Sequence, residues 1–428
     1  MAKLQLALDY TILKRAIQTA SLAVMAGSDI ILEAGTPLIK SEGLDSVRAL
    51  RKEFPKHTIV ADMKIMDTGK IEVEYAAKAG ANIVVVLAVA GEATIKECIE
   101  AGGNYGATIC VDMLNVPDKI EQAKQFESWG ADMISVHTPV DMQMRGATPF
   151  EELRQLKNVV SIPISIAGGI NSETASDAIA NGADIVIVGG AITKAKDVTQ
   201  ATAEILHALE TGEKIETRLF KRKGIQEIRD ILMNVSAANL SDAMHRGGVV
   251  EGLQALCDDV KLIGPAVTVR TFPGDFAKPV EAIDIAKEGE VIVIDQGGVG
   301  PACWGELATE SAVRKKLGGV VIDGAIRDSE DIKKMRFPAF ARHISPNAGE
   351  PKGFGEINVP IKISGVRVNP GDWMFGDRDG LLVIPKEKIV EIANRGMDVL
   401  EQENRVREEI RAGSTLAEVL ELLRWEKK

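Results

Sequence analysis

The stretch Ile83-Val84-Val85-Val86-Leu87 contains no polar side chain, and four of its five residues are β-branched. A continuous apolar run of this kind is typical of a strand that is covered on both faces, as in a parallel sheet. Seven more short apolar runs occur in the first half of the chain, so we predict eight strands there. They are Leu4–Leu8, Asp29–Leu32, Thr58–Ala61, Ala107–Val111, Met133–Val136, Pro163–Ala167 and Asp184–Val188.

Helical patterns fill the intervals between these runs. Apolar residues recur at helical spacing in Leu13–Ala26 and again in Phe150–Leu156. Eight strand–helix units within about 210 residues fit a small (β/α)8 barrel, the TIM barrel. The predicted fold class is therefore α/β, and a doubly wound parallel sheet is the competing architecture.

The composition excludes several classes of protein. A chain of 428 residues with a net charge of −11 suggests two or three domains and argues against a general nucleic-acid or anionic-membrane binder. We see no apolar run long enough to span a bilayer and no signal-peptide pattern at the N-terminus. The four cysteines are scattered, which argues against a disulfide framework or a thiolate zinc site. We expect a cytoplasmic enzyme that binds neither nucleic acid nor membrane.

Ionisable or glycine residues follow seven of the eight predicted strands. Functional groups of a barrel lie where its strands end at the C-terminal face. A lone Asp after a strand is usually a cap or turn residue, but seven such positions at one end are hard to explain by capping alone. They are Asp9, Glu33, Asp62, Asp112, His137, Gly168-Gly169 and Gly189-Gly190.

The third strand ends in the pattern Asp62-x-Lys64-x-x-Asp67. Residues two apart on an extended strand point to the same side, so we expect Asp62 and Lys64 to lie together. Carboxylates around an ammonium group can hold a divalent cation and stabilise developing negative charge. Glu33 on the neighbouring strand would add an oxygen ligand, which favours Mg²⁺. A structural salt-bridge cluster is the alternative interpretation.

His137 and the two glycine pairs complete the predicted site. Histidine is the usual general acid and base near neutral pH, and His137 stands at the end of the sixth strand. Glycine pairs after the last two strands, including Gly169, Gly189 and Gly190, mark the usual phosphate site of such barrels. There, backbone N–H groups and a following helix N-terminus bind the anion.

On these motifs residues 1–210 resemble the 3-hexulose-6-phosphate synthase family of the orotidine 5′-monophosphate decarboxylase suprafamily. The matching stretches are Leu6-Ala7-Leu8-Asp9, Glu33-Ala34-Gly35-Thr36-Pro37, Asp62-Met63-Lys64-Ile65-Met66-Asp67, Val136-His137-Thr138 with Asp141 and Gln143, Ala167-Gly168-Gly169-Ile170 and Val188-Gly189-Gly190-Ala191-Ile192-Thr193. The related 3-keto-L-gulonate-6-phosphate decarboxylases usually carry arginines where this chain has Val140 and Gly190, which favours the synthase.

The resemblance implies a reversible, Mg²⁺-dependent aldol addition of formaldehyde to ribulose 5-phosphate, giving 3-hexulose 6-phosphate. It implies that Glu33 and Asp62 hold the metal, that Lys64 adds positive charge and that His137 moves protons. Asp9 would bind sugar hydroxyls, whereas Gly169, Gly189 and Gly190 would bind the phosphate. It further implies a barrel dimer in which Asp67 reaches the neighbouring site. A keto-gulonate-phosphate-type decarboxylase remains the alternative for the barrel.

The second half of the chain no longer alternates strands and helices. The predicted domains are 1–212 for the barrel, 213–224 for a charged linker and 225–428 for a different unit. We predict strands at Leu262–Arg270, Val291–Asp295 and Val320–Asp323. The charged end of the chain, Lys386–Trp425, is predicted to be a solvated or packing helix, with an oligomer contact as the alternative.

Glu306 and the pair Arg327-Asp328 are separated by twenty residues. With the glycines of 297–300, this spacing resembles the ribonuclease-activity-regulator-A-like family, which includes class II pyruvate aldolases such as 4-hydroxy-4-methyl-2-oxoglutarate aldolase. The resemblance spans roughly 225–390 and implies a swivelling β/β/α domain that commonly forms trimers. Asp328, with Glu306 directly or through water, would hold Mg²⁺ or Mn²⁺. The planar fork of Arg327 suits a carboxylate or enolate of the substrate.

The combined prediction is a bifunctional, homo-oligomeric chain. Its barrel would be a lyase acting on a sugar phosphate and formaldehyde. Its second domain would be a metal-dependent pyruvate-type aldolase or decarboxylase, and a non-catalytic regulatory or assembly module is the alternative.

Overall fold

The computed structural model describes residues 2–144, 148–217, 220, 222–257 and 259–420. These fall into two compact units, one formed by Met1–Phe220 with Arg405–Lys428 and the other by Lys221–Asn404. No helix in the described ranges combines the length and apolarity needed to cross a membrane.

The first unit is a closed barrel of eight parallel strands in sequential order, which confirms the predicted (β/α)8 fold and excludes the doubly wound sheet. Its strands are β1 (Lys3–Leu8), β2 (Ile31–Ala34), β3 (Ile59–Ile65), β4 (Ile83–Leu87), β5 (Thr108–Asp112), β6 (Met133–His137), β7 (Ile164–Ala167) and β8 (Ile185–Val188). Each predicted run overlaps one of them.

Helices follow the strands of the barrel. They are α1 (Leu13–Val24), α2 (Thr36–Glu42), α3 (Asp45–Glu53), α4 (Gly69–Ala79), α5 (Glu92–Tyr105), α6 (Lys119–Trp129), α7 (Val140–Gln143), α8 (Phe150–Lys157), α9 (Ala175–Ala180), α10 (Gly190–Thr193) and α11 (Val198–Thr211). Several end at a glycine in the left-handed conformation, including α11 at Gly212, where the sequence predicts the end of the barrel. One buried apolar cluster joins strands and helices of this unit.

The second unit opens with short helices, and its described residues build a mixed sheet of nine strands and a separate hairpin of two. The helices are α12 (Ile228–Asn234), α13 (Ala237–Ala243), α14 (Ala277–Ile285), α15 (Glu306–Arg314) and α16 (Ser329–Lys334). The strands are β9 (Val249–Val250), β10 (Gln254–Ala255), β11 (Leu262–Arg270), β12 (Val291–Asp295), β13 (Gly319–Ile326), β14 (Ala339–Ile344), β15 (Glu356–Ile357), β16 (Ile361–Ile363), β17 (Val366–Val368), β18 (Trp373–Asp377) and β19 (Gly380–Ile384).

Strand β11 joins the two parts of this sheet. Its first residues pair antiparallel with β18, whereas its last five pair parallel with β12. At Gly264, near the change of partner, the carbonyl oxygen of Gly289 leaves no room for a Cβ. The parallel part of the sheet contains β13, which is buried at all eight positions, and the antiparallel part contains β19. This combination of a parallel and an antiparallel part agrees with the predicted β/β/α domain.

The end of the chain departs from the predicted domain boundary. Helices α17 (Ile389–Arg411) and α18 (Leu416–Leu420) lie within the predicted terminal helix, but the described residues 405–420 belong to the first compact unit rather than to the second. The physical reason is a set of polar contacts between Arg405 or Glu409 and the barrel. Positions 218, 219 and 221 of the predicted linker and positions 421–428 lie outside the described residues.

Candidate active site

Asp62 and Lys64 lie in β3 beside the mouth of the barrel. The ladder between β3 and β4 is irregular from Ala61 to Ile65, and Lys64 has a φ of 48°, in the left-handed region. The backbone is therefore not extended here, contrary to the prediction. The two side chains still meet, with Lys64 Nζ 3.3 Å from Asp62 Oδ2. A bulge in the strand thus delivers the ammonium group to the site.

Lys64 makes a second and shorter ion pair with Asp112, the last residue of β5. The Nζ–Oδ2 distance is 2.8 Å, and the same oxygen lies 3.5 Å from His137 Nδ1 at the end of β6. Burial lowers the pKa of Lys64, but the carboxylates of Asp62 and Asp112 outweigh it and raise that pKa above its usual value. Burial raises the pKa of Asp112, but His137 and Lys64 outweigh burial, so the pKa of Asp112 lies below its usual value. Asp112 therefore stays ionised between the Lys64 ammonium group and the His137 ring.

Glu33 in β2 is buried and accepts a hydrogen bond from Gln5 Nε2 at 2.6 Å. Burial, and then the nearby Asp62 and Asp9 carboxylates, raise the pKa of Glu33 well above its usual value. Asp9, just after β1, has a pKa raised by desolvation and by Asp62. These acids repel one another, and such repulsion falls when a cation binds between them.

One unpartnered oxygen of Asp62 also fits a divalent metal ion. Asp62 Oδ2 accepts a hydrogen bond from Thr36 Oγ1 at 2.7 Å, whereas Asp62 Oδ1 is buried without a hydrogen-bond partner. An ionised oxygen left unpaired in the interior is costly, and a hard cation would satisfy it. Within the described ranges no group of three or more His, Cys, Asp or Glu side chains is arranged to hold a metal. Glu33 and Asp62 would therefore hold the ion together with substrate or water oxygens.

The predicted phosphate loops lie at the ends of β7 and β8. Gly168 and Gly169 both have positive φ, at 124° and 71°, which explains why glycine occupies these positions. Gly189 precedes α10, which has only four residues, so its dipole contributes little and the backbone N–H groups themselves would bind an anion. The Asp9 carboxylate lies 3.5 Å from the position that a Cβ on Gly189 would take.

Asp67 makes no contact with this cluster among the interactions of the described residues. Its Oδ1 accepts a hydrogen bond from the backbone of Thr68, and its side chain is exposed. Its charge acts on Glu72, whose pKa is raised by burial and then by Asp67. A role for Asp67 within its own barrel is therefore not supported, and its predicted role in a neighbouring barrel stays a prediction.

Two residues of the mouth were given no specific role by the sequence, although Asp112 was among the strand-end positions noted there. Asp112 ends a strand, as the other site residues do, and that position was the available signal. Lys194 follows α10, and its Cε lies 3.6 Å from where a Cβ on Gly190 would stand. It places a cation beside the predicted phosphate loop, although a lone lysine after a short helix gives no signal in the sequence.

In the second unit, Glu306 begins α15 and Asp328 precedes α16. The carboxylate of Asp328 accepts a hydrogen bond from the backbone N–H of Glu306 at 3.1 Å, and Arg327 Nε lies 3.4 Å from the same oxygen. Gly305 permits this approach, because a Cβ there would stand 2.5 Å from Asp328 Oδ2. The structure thus brings the three predicted residues together, and the contact between Glu306 and Asp328 runs through the backbone N–H of Glu306.

The glycine loop of the second unit also holds an unsatisfied group. Gln296 is fully buried and donates to the carbonyl oxygens of Val299 and Pro301, but its Oε1 has no partner. Gln296 and Gly297 line a cleft of ≈ 490 Å³ together with Arg270 and Asp295. The residues that line this cleft belong to the second unit, whereas the acidic cluster belongs to the barrel.

Fold and site together define a chain that joins a (β/α)8 enzyme of the lyase class to a second α/β domain. Comparison with known families agrees. Over residues 2–205 the chain belongs to the Orotidine 5′-phosphate decarboxylase / HUMPS family. Residues 237–383 match the family model RraA-like, described as Aldolase/RraA, so the predicted fusion is confirmed.

The relatives found match one half of the chain at a time. A 3-hexulose-6-phosphate synthase from Bacillus subtilis is 39% identical over 211 residues, which cover 49% of this chain and 100% of the relative. The solved structure of 3-hexulose-6-phosphate synthase from Salmonella typhimurium is 38% identical, covers 49% of this chain and 100% of its own, and has a TM-score of 0.47. The solved structure of the RNA-processing inhibitor RraA from Thermus thermophilis is 29% identical. The match covers 35% of this chain and 93% of the RraA chain, with a TM-score of 0.34.

Proposed function

We propose that the barrel catalyses the reversible aldol addition of formaldehyde to ribulose 5-phosphate, giving 3-hexulose 6-phosphate. The observation that carries this proposal is the cluster at the barrel mouth, where Lys64 and His137 share the Asp112 carboxylate beside Asp62 and Glu33. Identity of 39% to the Bacillus subtilis 3-hexulose-6-phosphate synthase over the full length of that relative supports the choice of substrates.

A divalent ion, Mg²⁺ or alternatively Mn²⁺, would be held by Glu33 and Asp62 and would supply positive charge to the substrate oxygens. The unpartnered Asp62 Oδ1 supports this assignment. Lys64, kept protonated by its two carboxylate neighbours, adds charge of the same sign where the enediolate oxygens form.

His137 is the proposed proton carrier. It takes a proton from the hydroxymethyl carbon beside the ketone of ribulose 5-phosphate, and the electron pair left on that carbon forms the bond to formaldehyde. The formaldehyde oxygen then receives a proton, which balances the reaction. Asp112 holds the His137 ring through Nδ1 and leaves Nε2 for this transfer.

The remaining predicted residues bind rather than react. Asp9 lies against Gly189, so it would accept hydrogen bonds from sugar hydroxyls next to the phosphate. The backbone N–H groups of Gly169, Gly189 and Gly190 would bind the phosphate, with Lys194 as a nearby cation.

For the second unit we propose a separate metal-dependent site with Asp328 as ligand, Glu306 nearby and Arg327 for the substrate carboxylate. The supporting observation is the orientation of the Asp328 carboxylate by the Glu306 backbone and Arg327. Pyruvate-type aldol cleavage or decarboxylation is the activity proposed there, and a non-catalytic regulatory or assembly role is the alternative.

The decisive experiment measures formaldehyde consumption with ribulose 5-phosphate and Mg²⁺ on wild type, Asp62→Ala, Asp328→Ala and the exposed control Asp29→Asn. We expect Asp62→Ala and chelation with EDTA to abolish consumption, and Asp328→Ala and Asp29→Asn to leave it unchanged. An inactive wild type, or release of CO₂ from a keto-acid phosphate instead, would overturn the assignment. The second site is tested by Mn²⁺ binding in an Asp62→Ala background. Binding that is as strong in the Asp62→Ala, Asp328→Ala double variant as in Asp62→Ala alone would overturn it.

A further inference from the structure

The segment Arg405–Arg411 at the end of α17, named here the tail segment, belongs to the same compact unit as the barrel. Arg405 Nη1 donates a hydrogen bond of 2.6 Å to the carbonyl oxygen of Thr193, and it lies 3.3 Å from the Tyr10 hydroxyl. The guanidinium carbon also lies 5.6 Å from the centroid of the Tyr10 ring, within the range of a cation–π contact. One side chain thus contacts the segments that follow two different strands.

An ion pair also anchors the tail segment to α1. Glu409 accepts from Arg15 at 2.7 Å through Oε2, and its Oε1 lies 3.2 Å from Arg405 Nε. The side chains of Arg15 and Arg405 are only 17% and 22% exposed. Partly buried, multiply bonded guanidinium groups hold a fixed geometry better than isolated surface pairs do.

Both segments that Arg405 contacts carry residues of the proposed substrate site. Thr193 is the last residue of α10, which starts at Gly190. Tyr10 directly follows Asp9, and its hydroxyl also lies 3.2 Å from the Thr193 carbonyl oxygen. Because α10 is a single turn, fixing its last carbonyl oxygen also fixes the direction of the N–H groups at its start.

We propose that Arg405 is a positioning residue for the sugar-phosphate site of the barrel: by holding Thr193 and Tyr10, the tail segment sets the phosphate loop at Gly189-Gly190 in its binding geometry. This inference rests on the proposed function for the identity of the ligand. The Bacillus subtilis relative is aligned over its whole length within 211 residues, so it has no counterpart of Arg405. The device is thus an addition of this chain to the stand-alone barrel.

The test compares full-length wild type with Arg405→Ala, Arg405→Lys, Glu409→Gln and the matched control Arg411→Ala. Arg411 lies in the same segment, but its side chain is 71% exposed and pairs only with Glu408 among the contacts described. Calorimetry gives the Kd for ribulose 5-phosphate, and steady-state kinetics give KM and kcat separately.

We expect Arg405→Ala to raise Kd and KM by roughly 5- to 20-fold with kcat within about twofold, since loss of loop geometry removes binding that ground and transition states share. Arg405→Lys keeps the charge but not the fork and should recover part of the affinity. Glu409→Gln should weaken binding less, and Arg411→Ala not at all.

An Arg405→Ala variant that folds and binds ribulose 5-phosphate as wild type does would overturn the inference. If Arg405→Ala does not fold, unchanged affinity in Glu409→Gln would overturn it instead. A wild type that binds ribulose 5-phosphate without consuming formaldehyde would refute the proposed function alone, because the Kd comparison needs no turnover.

Discussion

A single carboxylate lies between a lysine and a histidine at the mouth of the barrel. Asp112 contacts Lys64 at 2.8 Å and His137 at 3.5 Å through the same oxygen, and its side chain is 3% exposed. Its lowered pKa keeps it charged, so it both holds the ammonium group and orients the imidazole. Its role in the proposed reaction is therefore orientation rather than proton transfer.

We predict that Asp112→Asn lowers kcat by about 10²- to 10⁴-fold, the range that positioned acid–base catalysis usually contributes. The amide cannot balance the Lys64 charge or hold His137 in one tautomer. Steady-state formaldehyde consumption measures the effect, with Asp29→Asn as a control because that side chain is 81% exposed. Unchanged kcat in a folded Asp112→Asn enzyme would contradict the orientation role.

At the residue level, the sequence predicts which side chains reach the site better than how they reach it. Strand ends bring Glu33, Asp62 and His137 together, because parallel strands of a closed barrel end at one face. The left-handed conformation of Lys64 is set by tertiary packing, and no local pattern announces it. Asp67 lies after the bulge, in the exposed loop between β3 and α4.

Among the elements of the second unit, one buried carboxylate joins two loops. Asp275 precedes α14, and it accepts backbone hydrogen bonds from Ala277 at 3.0 Å, Lys352 at 3.0 Å and Phe354 at 2.8 Å. Burial opposes ionisation, but these N–H donors outweigh it and lower the pKa of Asp275. The loop that follows β14 is thereby fixed to the start of α14.

We predict that Asp275→Asn destabilises the second unit by about 1–3 kcal/mol at pH 7, the cost of unsatisfied buried donors. Since the folded-state pKa lies below the unfolded value of ~3.9, this contribution is present above that value and is lost as the pH falls through the lower folded pKa. Scanning calorimetry between pH 2 and pH 7, a range chosen to bracket ~3.9, should show the two melting temperatures converging in acid.

The control for that measurement is Asp259→Asn, because Asp259 is 63% exposed and makes a surface ion pair with Arg336. It should stay within about 0.5 kcal/mol of wild type at every pH. A constant difference between wild type and Asp275→Asn down to the lowest pH would show that the charge of Asp275 is not responsible.

Strand positions were more predictable than the helix that closes the chain. Short apolar runs, most of them rich in Val and Ile, overlap every barrel strand, and β11 and β12 have the predicted bounds, because a strand buried on both faces is mostly apolar. The charged pattern of α17 allows a solvated helix, a packing helix or an oligomer contact equally. Contacts of Arg405 with Tyr10 and Thr193, which are 395 and 212 residues away, show that the end of α17 packs on the barrel of its own chain.

For the whole molecule, the predicted barrel dimer and the predicted trimer of second units together set the mass of the assembly. If barrels pair and second units form trimers, the smallest closed assembly holds six chains of 45.9 kDa, roughly 275 kDa in total. Sedimentation velocity or light scattering on the full chain should give this mass. A stable single chain at micromolar concentration would contradict both the dimer and the trimer.

The separation of Arg405 from Thr193 by 212 residues has a consequence for the time course of synthesis. Domains generally fold as they leave the ribosome, at about 5–20 residues per second. A newly made barrel therefore waits roughly 10 to 40 seconds for the arginine that holds its phosphate loop. During that interval a nascent chain would capture sugar phosphate poorly, and the enzyme would reach full affinity only after its other domain had been translated.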